Sequence, residues 1–359
     1  MYKIHLLPAS FGDSILIEYG QEIKKYILID GGPYFNFDIL IKALKKVVPN
    51  LKTVELLVIT HVDIDHIDGI VLLLNQKELP FPIKQIWYNG FEQMELKEND
   101  LLGVLQGEYV SALIKKKKIP HNISFNGKAV MVKDYNQLPK ITLADGMVLT
   151  LLGPDEEGLQ AMKKIWAAEV KNIGDEATVL KRLEEDKRYD DQIDDLLGEL
   201  SMEELQNMKV NGDKSEANGS SIAFLATYKN KTCLFTGDLF TEYLSKAVDA
   251  ILQKNNTKKL SVDVWKIAHH GSKKSTLETL MAKIDTKNIL VSSDGKRYHH
   301  PDKATIAKLI KNNGPNVCFY FNYKTEYNKM WDNDTLKAIH KYKTVFPLSD
   351  IENGITITL

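Results

Sequence analysis

The sequence predicts an α/β fold of layered sheets with helices on the outside. Short apolar runs punctuated by Gly and Asp fill the first sixty residues. Runs with helical spacing alternate with them along the chain. At 359 residues the chain exceeds one small core, so one large domain with an insertion, or two domains, is expected.

The elements follow in order. "KIHLLP", "DSILIEY", "KKYILID" and "VELLVIT" read as strands, rich in Ile, Leu, Val and Tyr. "FDILIKALKKVV" has apolar residues at helical spacing and reads as a helix between the third and fourth strands. "GIVLLLNQ" reads as the next helix. "IKQIWYNG", "MVLTLLGP", "SIAFLATYK", "KTCLFTGD", "DVWKIAHHG" and "KNILVSSDG" are further strands. "TLETLMAKI" and "DKATIAKLIKNNG" are helices, the second stopped by Gly314–Pro315. Cys233 and Cys318 sit in apolar strands and read as buried thiols, not as a disulfide or a thiolate metal site. No apolar run approaches a membrane span and the N-terminus lacks a signal-peptide pattern, so a cytoplasmic location is expected.

Residues 155–216 break the pattern and read as a helical insertion. Leu159, Met162, Trp166, Val170 and Ile173 follow helical spacing, and Ser201 with Glu204 forms a capping-box signature. "VNGDKSEANGSS" closes the block as a flexible hinge. The block holds eighteen acids against nine Lys or Arg, a net −9, which leaves +8 for the remainder of a chain whose total is −1. A basic body suits a phosphate-bearing substrate, although charge alone favours the plainer reading of a solvated surface with uneven charge. The acidic block would either cover the site as a lid or offer Leu159, Met162 and Trp166 to a protein partner or a second copy of the chain. The basic run Lys115–Lys118 reads as a solvated helix end, not a nucleic-acid patch.

The stretch "THVDIDHIDG", Thr60 to Gly69, places His61, Asp63, Asp65 and His66 within six positions after an apolar strand. Clustered carboxylates repel one another, and burying them unpaired is costly. A divalent cation removes both costs, and mixed imidazole and carboxylate donors suit Zn, Mn or Fe. A hydrogen-bonded polar turn is the plainer alternative, but four ligand-type residues this close rarely serve packing alone. Three more strand ends repeat the theme: Asp238 in "TCLFTGD", His269 and His270 in "VWKIAHHGS", and His299 and His300 in "KRYHHPD". Strand ends on one side of a sheet are where open α/β architectures build sites.

With these motifs the chain resembles the metallo-β-lactamase-fold hydrolases, whose mark is a His-x-His-x-Asp-His loop after a strand. It is most similar to the soluble hydrolase domain of ComEC-type competence proteins. The resemblance rests on Gly12–Asp13–Ser14, Asp30–Gly31–Gly32, His61 to His66, Asn218 to Ser221, Thr236–Gly237–Asp238, His269 to Ser272 and His300–Pro301. It spans most of residues 1–310 and excludes the acidic block.

The resemblance implies a four-layer αβ/βα sandwich, with residues 1–359 forming one hydrolase domain interrupted by the insertion 155–216. It implies two divalent metal ions, Zn or Mn. His61 and Asp63 would hold one and Asp65 and His66 the other. Asp238 would bridge them, and His269, nearer the strand end than His270, would complete the second site. A hydroxide bridging the metals would attack phosphorus or a carbonyl, with Asp65 and His300 as catalytic groups and His300 giving a proton to the leaving group. Asp30 would orient a ligand from outside. The Gly271–Ser272 amides, with Lys273 nearby, would receive a phosphate oxygen. Asn218, His270, Ser272 and Lys273 would support the ligands or line the substrate.

The departures from the family pattern matter. Asp63 stands where the wider family has its second histidine, a harder donor that shifts preference toward Mn or Mg. Ile67–Asp68–Gly69 replaces the usual Gly-Gly ending, and the Asn218–Ser221 segment lacks the third histidine of many relatives. One metal site would then be weak or filled by water. The membrane-channel part of competence proteins does not occur in this sequence. The implied activity is a metal-dependent phosphodiesterase or nuclease. A hydrolase of a small lactam, lactone or thioester, and an effector subunit of a multiprotein system such as phage defence, are the alternatives.

Overall fold

The structure, a computed structural model, describes residues 1–94, 104–173, 178–179, 202, 206, 213, 215–348 and 354–359. Its first sheet contains β1 (Tyr2–Leu6), β2 (Ile15–Tyr19), β3 (Lys25–Ile29), β4 (Leu56–Val58) and β5 (Ile86–Trp87). The second contains β6 (Lys140–Thr142), β7 (Val148–Gly153), β8 (Ala223–Tyr228), β9 (Lys231–Phe235), β11 (Val264–Lys266), β13 (Asn288–Val291), β14 (Cys318–Phe321) and β15 (Lys343–Val345). The short β10 (Leu260–Ser261) and β12 (Ile284–Asp285) pair with each other, and β16 (Ile355–Thr358) returns to the first sheet. The orders are β16-β1-β2-β3-β4-β5 and β15-β14-β13-β11-β9-β8-β7-β6. Helices α1 (Phe37–Val47), α2 (Ile64–Asn75), α3 (Val104–Lys117) and α4 (Glu156–Ile173) belong to the first half of the chain. Then follow α5 (Glu216–Gly219), α6 (Thr241–Asn255), α7 (Glu278–Met281), α8 (Lys303–Asn313) and α9 (Asp334–His340).

Alternation along the strands builds the layers. In β3, Ile27 and Ile29 point to one side and Leu28 to the other, because successive side chains of a strand face opposite ways. Ile27 and Ile29 join Leu56, Val58, Leu149, Leu151, Phe224 and Phe235 in a core between the two sheets. Leu28 joins Leu16, Leu57 and the apolar faces of α1 to α4. On the far side, Leu225, Leu234, Trp265 and Ile289 pack under α6, α7 and α8. Three apolar layers separate helix, sheet, sheet and helix. This is the expected αβ/βα sandwich. Cys233 and Cys318 are free and buried, and no helix among the described residues is long and apolar enough to cross a membrane.

Two local expectations shift, and one helix was not read from the sequence. The second helix begins at Ile64, inside the metal motif, with Asp63 as its N-cap, so Asp65, His66 and Asp68 are helical. The region 276–284 holds only the single turn α7 before the chain extends into β12. The helix α6 follows Asp238 within the apolar layer.

The start of the acidic block is not a free surface. Leu159, Met162 and Trp166 of α4 are buried in the same layer as α2 and α3, which corrects the expectation that this stripe faces a partner. The Trp166 indole N–H donates to Glu108 at 2.8 Å, so its polar edge is also satisfied. Ser201, Glu204 and most of the remaining block lie outside the described residues, as do the side chains of Val170 and Ile173. Gly107 makes room for the indole: a Cβ there would lie 2.3 Å from Trp166 Cζ2 and 2.7 Å from the Tyr88 hydroxyl. Gly107→Ala is therefore expected to cost about 1–3 kcal/mol of stability. Urea denaturation checks this, and an unchanged midpoint would place α4 elsewhere.

Candidate metal centre

The parallel strands β3, β4, β9, β11 and β13 bring their carboxyl ends to one edge of the sandwich. Asp30 follows β3, the motif follows β4, Asp238 follows β9, and His269 and His270 follow β11. The N-terminal end of β8, antiparallel to β9, adds Asn218 and Ser221 to the same edge. Asp30, His269 and His270 hold positive φ values of 55°, 49° and 53°, conformations uncommon for non-glycine residues.

Asp238 is the hub. Its Oδ2 lies 3.5 Å from His66 Nε2, 3.8 Å from His270 Nε2 and 4.0 Å from His269 Nε2. Asp65 Oδ2 lies 3.1 Å from His270 Nε2 and 3.9 Å from His66 Nε2. The His61 and His66 rings are 4.2 Å apart. Ligand atoms about 2.1 Å from a tetrahedral ion sit about 3.4 Å from one another. Two groups could close around an ion: His61, His66 and Asp238, and Asp65, His66 and His270, each with ligand atoms mutually within 4.8 Å.

The outer contacts fix which nitrogen faces inward. The Thr60 amide and hydroxyl both donate to Asp30, at 2.8 and 2.6 Å, and His66 Nδ1 donates to the same carboxylate at 2.8 Å. With its proton given to Asp30, Thr60 Oγ1 accepts from His61 Nδ1 at 3.0 Å. His270 Nδ1 donates to the Ser292 carbonyl at 3.0 Å. All three imidazoles thus commit Nδ1 outward and present Nε2 inward, as metal-binding histidines do. His61 Nε2 and His66 Nε2 are buried with no hydrogen-bond partner. Buried nitrogens left unpaired among carboxylates fit a cation held between them. The Ser221 hydroxyl accepts from the Asp238 amide at 3.2 Å and steadies that loop.

The remaining expected residues divide. Asp30 accepts from His66 Nδ1 at 2.8 Å and so fixes that ring. Asp63 is half-buried, with Oδ2 3.6 Å from His61 Nε2, at the mouth of the cluster. His270, not His269, completes the group with Asp65 and His66, because its fully buried ring is locked inward by Ser292. His269 stands at the rim, its Nδ1 2.9 Å from Asp213 and 3.0 Å from the Ser275 hydroxyl. Asn218 Nδ2 donates to Asp213 at 2.8 Å and supports this arrangement. The Gly271 and Ser272 amides already donate to the Ala268 and His269 carbonyls, and the Lys273 amide to Asp302, so they do not form the expected anion cradle. Lys273 Nζ lies 3.9 Å from the same Asp302.

Sequence reading missed Asp13 and Lys266 as site groups. Lys266 is buried and donates to Asp13 Oδ2 at 2.6 Å, while Asp13 Oδ1 is 3.4 Å from His270 Nδ1. Asp213 was also missed, for it lies in the acidic block.

Charges in the cluster hold one another. Burial disfavours the charged form of His270, but Asp13 and Asp238 outweigh it and raise its pKa to about 9. Burial is likewise outweighed at His66, which Asp238 and Asp65 push up, and at Asp65, which His66 and His270 pull down to about 2. Asp238 is held well below the usual carboxylate range by His66, His269 and His270, against its burial. His300 differs: burial and the neighbouring His269 and His270 keep it neutral at neutral pH. That state can accept a proton.

A pH dependence follows for the metal-free chain. The stabilisation from His270 is fully present below the ordinary imidazole pKa of 6.5 and is lost as pH rises through about 9. Metal loading near pH 7 must displace these protons, so release of about two protons per chain is expected. Calorimetry in buffers of different ionisation heat measures it. Loading without proton release would contradict the Nε2 assignment.

Residues 7–88 match the model of the metallo-beta-lactamase superfamily. ComE operon protein 3 of Bacillus subtilis (strain 168) is 29% identical over 98 residues, which are 27% of this chain and 12% of that protein. The chain therefore matches about an eighth of the length of that curated relative. A mutant of the CmlA beta-hydroxylase aligns at 10% identity over 100% of this chain and 54% of its own, with a TM-score of 0.39. A protein of unknown function from Enterococcus faecalis aligns at 10% identity over 97% and 77%, with a TM-score of 0.30. Neither score reaches 0.5, so the weight rests on the four layers and on the superfamily match across the motif. On those two grounds, the chain has the metallo-β-lactamase fold, its residues 7–88 carry the sequence pattern of that superfamily, and the edge of its sandwich gathers residues that could hold a metal ion.

Proposed function

We propose that this chain is a metal-dependent phosphodiesterase acting on a nucleotide or nucleic-acid substrate. The observation that supports it best is the share of carboxylates set among the imidazoles around Asp238. Asp63 stands at the mouth where the wider family has a histidine, and Asp65 and Asp238 add two more carboxylates. Hard oxygen donors favour ions such as Mn or Mg, which serve phosphoryl chemistry, over a histidine-rich zinc site suited to lactams. The net +8 outside residues 155–216 favours an anionic substrate. The partial likeness to ComE operon protein 3 agrees with the branch named by the sequence motifs.

Divalent ions in the cluster would supply Lewis acidity toward a phosphoryl oxygen and acidify a water nucleophile. The chain's own groups do the rest. Asp65, His66, Asp238, His61 and His270 hold the ions. His269, fixed at Nδ1 by Asp213 and raised in pKa despite its burial, chiefly by Asp238, keeps a proton at the rim for a leaving group. Neutral His300, whose ring centroid is 5.5 Å from that of His269, accepts one.

The test compares hydrolysis of bis-p-nitrophenyl phosphate and of nitrocefin, with Mn and Zn each supplied. Turnover of the phosphodiester, faster with Mn, is expected. Turnover of nitrocefin alone would replace this reading with that of a small-substrate hydrolase.

A further inference from the structure

Beside the metal centre the 8–14 and 292–300 loops are tied together. The Ser10 hydroxyl donates to Asp294 Oδ2 at 2.8 Å, and the Asp294 amide donates to the Ser10 carbonyl at 2.9 Å. The tie brings Phe11 edge-on to Tyr298, with ring centroids 5.6 Å apart, and leaves Phe35 5.8 Å from Phe11. Phe11 is buried, but Phe35 and Tyr298 are 56% and 44% exposed, the only large aromatic side chains so open among the described residues. The Arg297 guanidinium lies 5.1 Å from the Phe11 ring and 5.3 Å from the Tyr298 ring. No carboxylate pairs with it among the described residues. It is also the only arginine outside residues 155–216, in a chain whose other basic residues there are lysines.

This shelf adjoins the metal ligands. Tyr298 is 6.2 Å from His300, ring to ring. The backbone beside Phe11 rests on the motif, since a Cβ at Gly12 would lie 1.9 Å from the Asp65 carbonyl oxygen. Exposed aromatic faces beside an unpaired guanidinium suit a ligand that is flat and apolar on one part and anionic on the next. A nucleobase joined to its phosphates has that form. A lactam or thioester offers no such pair. A base inside a duplex keeps both faces covered, so the base must be unpaired.

We propose that Phe35 and Tyr298 stack an unpaired nucleobase of the substrate while Arg297 holds the phosphate next to the one at the metal centre. The substrate class is then a nucleobase-bearing phosphodiester. The proposal deepens the phosphodiesterase reading and rests on it for turnover, though binding can be tested by itself.

The experiment measures binding to the full metal-loaded chain by fluorescence anisotropy. The probes are a labelled phosphorothioate hexathymidylate, which resists cleavage, and a base-free oligomer of equal length and charge. The hexathymidylate should bind about tenfold more tightly. Tyr298→Ala or Phe35→Ala should erase that preference, Tyr298→Phe should keep it, and Arg297→Gln should weaken both oligomers. Competition by a cyclic dinucleotide would assign the shelf to small nucleotides, and its failure to compete would assign it to single strands. Equal binding of the two oligomers, or full preference in Tyr298→Ala and Phe35→Ala, would overturn the proposal. Base preference without phosphodiester turnover would overturn the function and leave the shelf. Turnover without base preference would do the reverse.

Discussion

Replacing Asp238 by asparagine is expected to lower phosphodiester turnover by at least about 10³-fold. The substitution keeps the shape and removes one charge. That charge is shared by three imidazoles, from His66, His269 and His270, within 4.0 Å. Asp238 also stands with His61 and His66 in a group that could hold a metal ion. A neutral amide is a weaker ligand for a divalent cation than a carboxylate, so metal content should fall together with activity. The substitution sits in a turn after β9 and leaves the apolar layers untouched, so the far-UV spectrum should not change. Steady-state hydrolysis with bis-p-nitrophenyl phosphate, read beside metal content, checks the expectation. Turnover within tenfold of the original would remove Asp238 from the hub. Asp65→Asn and His66→Ala should show the same joint loss, because Asp65 and His66 stand in the group with His270.

The second large effect is on stability. Lys266→Met is expected to destabilise the chain by about 3–5 kcal/mol, the range for breaking a buried ion pair from one side. Lys266 is 1% exposed and Asp13 2%. The ammonium satisfies Asp13 at 2.6 Å and the Ile267 carbonyl at 3.0 Å. Without it, the Asp13 carboxylate stays buried, faced by His270 at 3.4 Å and by the more distant His66. Lys266 and His270 hold the Asp13 pKa down against its burial, so the orphaned carboxyl would take up a proton more readily. The His270 imidazole would then lose a neighbour that helps hold its orientation, and metal affinity should weaken too. Adding Asp13→Asn should recover part of the stability, because it removes the stranded charge. Urea denaturation of the single and double variants measures both terms. A single variant as stable as the original would show that the pair contributes no net stability.

Much of this was legible in the sequence, for physical reasons that can be named. Strand alternation in "KKYILID" and "VELLVIT" marks the sheets, and costly polar residues at their exits mark the edge where the site lies. His61, Asp65, His66 and Asp238 stand there because β4 and β9 end there. What was not legible depends on contacts distant in sequence. Lys266 lies in the apolar run "VWKIA" and looks like a strand-edge lysine; only the fold brings Asp13, 253 residues away, against it. His269 and His270 are neighbours, and the backbone of the turn decides which ring faces inward. The Gly271–Ser272 amides look free in sequence, and short-range hydrogen bonds use them. Leu159, Met162 and Trp166 have the spacing of an amphipathic surface helix, and only the packing of α4 on α3 shows the stripe to be covered. Asp213 falls in a charged block whose composition gives no sign that one carboxylate reaches His269.

The central claim is that the cluster around Asp238 is a metal centre. Plasma mass spectrometry of the purified chain after dialysis against Mn and Zn tests it most directly, with His270→Ala and His269→Ala beside it. The expected result is about two ions per chain, a clear loss in His270→Ala, and a smaller change in His269→Ala. A chain that retains no stoichiometric metal from either dialysis, or whose content is the same in His270→Ala as in the original, would contradict it.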